Sequence, residues 1–266
     1  MSRRKALGQH FLKDRGIVHK IVKVIAPVPE DTIIEIGAGK GILTFALAKW
    51  GCRLIAIEKD SAFIEELQRP DLPNLTVMEA DVLDIDLSEI APGIQVKIAG
   101  NLPYSISSPI LFKILAAKGC FSQCVFLLQK EVAGRLCASP GTKKYAPLSI
   151  LFENHFERRL HFTVPPEVFS PPPKVESALV SLIKREEPLI AFKRENDFQV
   201  FLKACFRHRR KTLFNNLRLL SLEGEVIKQA LDQAGLDNRV RAEAVSLDRF
   251  AGLFELLGDR VLFSKR

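Results

Sequence analysis

Residues 32–51 read TIIEIGAGKGILTFALAKWG, and three changes of pattern within them set the kind of fold to expect. TIIEIG is a short β-branched run of the sort that forms a buried strand. Glycines follow at 37, 39 and 41, and an apolar segment at helical spacing then runs to a stop at Gly51. Strand, glycine turn and helix in so short a span make the first half of a βα unit.

Outward from that stretch the unit repeats. RLIAIE, LTVMEAD and VKIAGN read as strands, SAFIEELQ and SSPILFKILAAKG as helices, and CVFLLQKEVAGRL as a strand running into a helix. Such repeats predict a parallel sheet with helices on both faces. SILFENHFERRLHFTV and SALVSLIKR read as two longer strands that pair antiparallel at one edge, joined by the proline-dense PPEVFSPPPK. Beyond KREEPLI the spacing is helical throughout, in DFQVFLKACF, EVIKQALDQAG and SLDRFAGLFELLG. The expected architecture is therefore α/β: a Rossmann-like sheet in residues 1–187 and a smaller all-helical domain in residues 188–266.

A chain of 266 residues, 47% hydrophobic and 26% charged, has the composition of an ordinary globular protein with a full core. No apolar run approaches the ~20 residues of a membrane helix, and the amino terminus lacks the apolar core of a signal peptide, so a cytoplasmic protein is expected. Five cysteines in mostly apolar surroundings fit reduced, buried thiols. Cys120 and Cys124 lack a second ligand pair, and no metal is expected. No long apolar seam stands out, so a monomer is expected.

Charge is unevenly placed. Residues 1–23 carry +6 and residues 203–218, KACFRHRRKTLFNNLR, carry another +6, within a total of +8. Two basic clusters on a mildly acidic body suit a polyanion. The second, read as a helix, offers Arg207, Arg209, Arg210 and Lys211 as RNA-binding candidates.

The chemistry-bearing residues fall at strand ends, where open α/β sheets bind ligands. Gly37 and Gly39 let a ligand approach the backbone at a helix amino terminus. The dinucleotide pattern G-x-G-x-x-G would need a sixth-place glycine where Ile42 stands, which demotes NAD; G-x-G-x-G is associated with S-adenosylmethionine. Glu58 ends the next strand and suits ribose hydroxyls. Asp81 follows in MEAD, placed to accept from an adenine amine. The fourth strand ends in NLPY. Beside a methyl sulfonium, the Asn101 side-chain oxygen and the Leu102 carbonyl suit the two protons of an adenine N6 amine, with Pro103 holding the turn extended. Tyr104 suits one face of the base, and Phe169 the other.

In order along the chain, GQHFL (8–12), EIGAGKGILT (35–44), EKD (58–60), DVLD (81–84), NLPYSISSPI (101–110), VFSPPPKVESALV (168–180) and FRHRRKTLFNNL (206–217) together resemble the bacterial small-subunit (16S) ribosomal RNA adenine N6,N6-dimethyltransferases. The resemblance spans nearly the whole chain. It implies S-adenosylmethionine as methyl donor, and two methyl groups placed on each of two adjacent adenines in the 3′-terminal hairpin during small-subunit assembly. The RNA, or an immature 30S particle, is the implied partner. By similarity the cofactor contacts are His10, Leu12, Gly37, Glu58, Asp81 and Asn101. His10 stands where asparagine is also frequent in that family, which implies a contact through its backbone. Erythromycin-resistance methyltransferases of 23S RNA share the fold but are less similar at Pro109 and in FRHRRKTLFNNL. A non-catalytic RNA-binding assembly factor is the third reading.

Overall fold

A computed structural model of the chain describes residues 10–220 and 222–263. Arg3, Arg4 and Lys5 of the amino-terminal basic cluster, and Gly8 and Gln9 of GQHFL, therefore lie outside the described residues. By contacts the chain forms two compact units: residues through Ala133 with Glu157–Lys184, and Gly134–Phe156 with the residues from Arg185 onward.

The first unit is built on a seven-stranded sheet of order β4-β3-β2-β5-β6-β9-β7. Its strands are β2 (Thr32–Ile36), β3 (Arg53–Glu58), β4 (Leu75–Glu79), β5 (Val96–Asn101), β6 (Phe121–Gln129), β7 (Phe156–Val164) and β9 (Ser177–Lys184). From β4 to β6 neighbouring strands are parallel, and β9 pairs antiparallel to β6. The expected edge is present, with β7 and β9 as neighbours. A separate two-residue ribbon joins β1 (Phe11–Leu12) to β8 (Phe169–Ser170).

Chain order explains where the crevice lies. From β2 the sheet grows outward to β3 and β4, then returns to place β5 on the other side of β2. The turns after β2 and β5 diverge, and a cleft opens between them at the carboxyl ends, as topological switch points do. Helix α1 (Arg15–Ile25) packs Val18, Ile21, Val22 and Ile25 into the core, one face at helical spacing. Its amino end is capped by Asp14, which accepts from Ile17 N–H at 2.8 Å. At its other end Lys97 donates to the Ala26 carbonyl at 3.0 Å and pairs with Asp31 at 2.7 Å. Helices α2 (Ile42–Ala48), α3 (Ser61–Gln68), α4 (Ser107–Ala116) and α5 (Lys130–Leu136) follow the strands in the order their sequences suggest.

Two expectations are corrected. SILFENHFERRLHFTV is not one strand: α6 covers Pro147–His155 and β7 begins at Phe156. Leu148, Ile150, Leu151 and Phe152 are all buried, and a short helix buried on every side has no polar face to distinguish it from a strand. Local chemistry does favour the helix, with Pro147 at its first turn and Ser149 Oγ accepting from Ala146 N–H at 3.1 Å. The division between units also differs from 187/188. It falls after Lys184, and 134–156 joins the helical part. Asn154 accounts for much of that, exchanging side-chain hydrogen bonds with Ile190 N–H (2.8 Å) and carbonyl (3.0 Å).

The second unit adds α7 (Glu195–Cys205), α8 (Leu213–Arg218), α9 (Gly224–Gln233) and α10 (Leu247–Phe263). Phenylalanines form its centre: Phe192 stacks on Phe198 at 4.0 Å, and Phe254 meets both Phe198 and Phe201. No helix among the described residues is long and apolar enough to cross a membrane. None of the five cysteines forms a disulfide.

Candidate active site

The crevice holds about 510 Å³ and lies in the first unit. It is walled by the turns after β2, β3, β4 and β5 and by the segment leading into β1. The expected residues His10, Gly37, Gly39, Glu58, Asp81, Asn101, Leu102, Pro103 and Tyr104 all line it.

The turn after β2 bends through glycines in the left-handed region, Gly37 at φ 73° and Gly39 at φ 52°. A Cβ on Gly39 would stand 3.1 Å from the Phe11 ring, so the loop and that ring close on each other. Gly39 N–H donates to Glu58 Oε2 at 2.8 Å, and Lys59 and Asp60 N–H both donate to Oε1 at 2.9 Å. A carboxylate has about four acceptor sites, so three are engaged by backbone and roughly one remains, on Oε2. Glu58 is thus a fixed acceptor rather than a mobile one. Asp81 is held from two sides, by Leu83 N–H on Oδ1 at 2.9 Å and by Lys59 Nζ on Oδ2 at 2.6 Å. The Lys59 hydrogen bond, with the Leu83 amide behind it, holds the Asp81 carboxyl below the usual range.

Asn101 ends β5, and its orientation follows from one bond. Its Nδ2 donates to the His10 carbonyl at 2.8 Å. A carbonyl can only accept, so the amide nitrogen faces it, and Oδ1 accepts no hydrogen bond among the described residues. The next turn leaves a second acceptor: Leu102 N–H is taken by Leu127 O, and Ile106 N–H goes to Pro103 O. The Leu102 carbonyl accepts no hydrogen bond among the described residues. Asn101 and Leu102 both line the cleft, and each carries an oxygen without a hydrogen-bond partner among the described residues. Tyr104 is fixed by its hydroxyl, which shares a 2.5 Å hydrogen bond with Ser177 Oγ, and burial pushes its phenol pKa up.

Two expected residues are placed elsewhere. Phe169 is a correction: its ring is fully buried in the core with Leu12 and Leu179, because β8 is drawn against β1, and it closes no face of the crevice. Leu12 also packs into that core and borders a smaller neighbouring cavity of about 40 Å³. Glu35, Gly37, Gly39 and Asn101 line the same small cavity. Burial pushes the Glu35 carboxyl up to about 8, opposed by the nearby Thr44 hydroxyl and helped by the charge on Glu58. Neither Glu35 Oε2 nor Thr44 Oγ1 has a hydrogen-bond partner among the described residues.

Lys59, Ser177 and Glu35 are site features the sequence reading did not assign. EKD contains the lysine beside the acid, which was the available signal for Lys59. Ser177 lies 73 residues from Tyr104, and nothing local marks their meeting.

The basic candidates lie in the second unit and form a loop, not the expected helix. Between α7 and α8, Arg207, His208, Arg209, Arg210 and Lys211 are all exposed. Asn216, buried in α8, accepts from His208 N–H at 2.9 Å and donates to the carbonyls of His208 (3.1 Å) and Thr212 (3.3 Å). Thr212 caps α8 by accepting from Asn215 N–H. A cap and an amide clamp thus end one helix and start another where like charges would repel within one. Arg209 also bonds the Lys143 carbonyl and lies 3.8 Å from Glu243. No group of three or more metal-ligating side chains with suitable geometry occurs among the described residues.

The family model described as ribosomal RNA adenine dimethylase matches residues 1–259. A protein of Geobacter metallireducens called ribosomal RNA small subunit methyltransferase A is 43% identical over 94% of each chain. One of the same name from Streptococcus pneumoniae is 41% identical, covering 96% of this chain and 91% of its own. A solved dimethyladenosine transferase from Plasmodium falciparum superposes with a TM-score of 0.78 at 26% identity, covering 94% of this chain and 98% of that one. The 23S rRNA methyltransferase ErmE superposes with a TM-score of 0.70 at 27% identity, over 93% and 99%.

Proposed function

From the premise that the chain belongs to the ribosomal RNA adenine dimethylase family, we propose that it transfers methyl groups from S-adenosylmethionine to N6 of two adjacent adenines in the 3′-terminal hairpin of small-subunit ribosomal RNA, dimethylating each. The observation that carries this reading is the Asn101 amide in the crevice wall, whose nitrogen is engaged by His10 and whose oxygen has no hydrogen-bond partner among the described residues. The curated relatives, named for the small subunit at about 40% identity, favour this reading over a 23S-type activity.

The crevice suits the cofactor. Its volume lies within the usual range for small-molecule sites. Ile57, Val82 and Ile110 give it apolar lining, and Glu58, Asp60 and Asp81 outnumber Lys59, which favours a cationic ligand carrying a nucleoside. Glu58 would hold the ribose, Asp81 the adenine amine, and the turn of Gly37 and Gly39, with the backbone of His10 and Leu12, the amino-acid end. When bound, the cofactor supplies a methyl group activated by a sulfonium.

The protein's part is to make a poor nucleophile a better one. The lone pair of an adenine N6 amine is delocalised into the ring. Asn101 Oδ1 and the Leu102 carbonyl accept its two protons and draw the nitrogen toward tetrahedral geometry, which localises that pair. These bonds strengthen as positive charge grows on nitrogen, so they stabilise the transition state more than the ground state. Pro103 holds the turn, and Tyr104, anchored on Ser177, offers a ring for stacking a base removed from its helix. With Phe169 enclosed in the core, the stack is one-sided in this conformation.

Arg207, Arg209, Arg210 and Lys211 would meet phosphates of the RNA, and the substrate proposed is an immature small-subunit particle acted on by a monomer. The test is to incubate the protein with labelled S-adenosylmethionine and small subunits from cells lacking the modification, with large subunits in parallel. Label should map to two adjacent adenines of the 3′-terminal hairpin. Label in the large subunit alone would establish the 23S reading instead, and no label in either would favour a non-catalytic assembly factor.

A further inference from the structure

Helix α1 carries its charges where a helix has no use for them. Its inward face, Val18, Ile21, Val22 and Ile25, is buried and holds it on the sheet. Its outward face presents Arg15, His19, Lys20 and Lys23, all exposed, and the helix contains no acid. Arg15 opens the first turn, where the helix dipole is positive and an acid would be favourable. Lys20 and Lys23 stand one turn apart, a like-charge pair that weakens a helix. Asp14 is the nearest acid along the chain, and its carboxylate caps the helix by accepting from Ile17 N–H. Arg15, Lys20 and Lys23 make no ion pair among the described residues.

The row of cations starts at the crevice. Phe11 lines that cavity, with Lys40 Nζ 5.6 Å from its ring centroid. Lys13 follows β1 directly and is exposed, its N–H bonded to the Val168 carbonyl at 2.9 Å. From Arg15 to Lys23 the helix rises about 12 Å at ~1.5 Å per residue. That length takes about three phosphates of one strand at ~3.4 Å of axis each. A lipid surface would need an apolar face on the helix, and that face is already spent on the core. A protein interface would need an apolar centre, whereas the exposed positions here are charged.

We infer that the outer face of α1, with Lys13 leading into it, is a second RNA-binding surface, one that holds backbone phosphates of the strand whose base enters the crevice. It is separate from the basic loop of the second unit and belongs to the catalytic unit itself. The inference rests on the reading that the substrate is ribosomal RNA. Lysine and arginine side chains on an exposed helix meet phosphates without reading bases, so the surface adds affinity and not sequence choice. Its loss should therefore weaken RNA binding and leave the transfer step alone.

The test is the triple variant Arg15→Gln, Lys20→Gln, Lys23→Gln, in which glutamine keeps helix propensity and removes charge. Binding should be measured against salt on deproteinised small-subunit ribosomal RNA and on small subunits lacking the modification. On both, the slope of log affinity against log salt should fall by about two, at ~0.7 per lost contact, and binding at about 0.1 M salt should weaken about 10- to 100-fold. Each single variant should remove about 0.7 of slope, which checks the triple one independently of its folding. Single-turnover rate at saturating RNA and cofactor affinity should match the wild type. A control with the same charge loss, Lys49→Gln, Arg53→Gln, Arg69→Gln, exposed at the ends of α2 and α3 and the start of β3, should keep the wild-type slope.

An unchanged slope in the α1 variants, or an equal fall in the control, would overturn the inference. Weakening on particles but not on deproteinised RNA would assign the face to a ribosomal protein, and loss of binding to phosphatidylglycerol vesicles with RNA binding intact would assign it to a membrane. Methylation by the wild type separates the two failures. If small subunits are labelled while the α1 slope is unchanged, only this surface is wrong; if neither subunit is labelled, the underlying function fails.

Discussion

Two asparagines organise the two functional regions, and they do so in opposite ways. Asn101, half-exposed at the end of β5, commits its donor to the His10 carbonyl and leaves its acceptor open. Asn216, buried in α8, commits both ends, bracketing His208 and Thr212 so that the basic loop has one shape. The first is equipped to act on a ligand and the second to hold other residues that do. What separates a reacting amide from a scaffolding one is the hydrogen-bonding capacity left after the backbone has been served.

The largest effect should come from removing the open acceptor. Asn101→Ala should lower single-turnover methyl transfer by about 10²- to 10³-fold, the range for loss of one transition-state hydrogen-bonding partner, while calorimetric cofactor affinity weakens modestly. A rate near wild type would place the amine elsewhere. Asn216→Ala should leave transfer chemistry intact but cost about 2–3 kcal/mol in denaturant unfolding, since three part-buried hydrogen bonds of a buried amide are lost. If stability is unchanged, the clamp is not holding the loop.

Glu35 gives a third contrast, a buried carboxyl with one oxygen that has no hydrogen-bond partner among the described residues. The folded protein keeps its proton up to about pH 8, while an exposed glutamate releases it near 4.5. This carboxyl therefore favours the fold most below pH 4.5, and that contribution is lost as pH rises toward 8. Glu35→Gln should melt like the wild type at pH 5 and at a higher temperature at pH 9. Equal melting curves at both would mean the carboxyl is hydrated in solution.

The smallest effect separates two neighbours in the loop. Arg210 makes no ion pair among the described residues, so Arg210→Ala should lower the salt slope of RNA binding by about one. Arg209 is already tied to Lys143 and Glu243, and Arg209→Ala should lower it less. The reverse order would show that the RNA displaces those contacts.

The legible parts of the chain are those whose cause is local. A β-branched run, a glycine turn and an apolar helix lie within twenty residues, and Glu58, Asp81 and Asn101 each sit at or just past a strand end that alternation and turn residues disclose. Where local pattern was ambiguous, packing chose. α6 is buried over most of its surface, Ser149 and Asn154 included, and reads equally well as a strand. The basic segment has helical spacing but breaks at Phe206–Lys211, where a buried amide from the next helix satisfies the loop's backbone.

From the residues alone came the sheet, its glycine turn, the two carboxylates and the asparagine at its edge, because propensity, periodicity and turn chemistry act over a few neighbouring positions. Tertiary structure alone decided which of their atoms stay available. The bond from Asn101 to His10 spans 91 residues, that from Tyr104 to Ser177 spans 73, and Phe169 went to the core because a two-residue ribbon drew it there. Hydrogen-bonding capacity is consumed by whatever the fold brings near, and no local pattern records that.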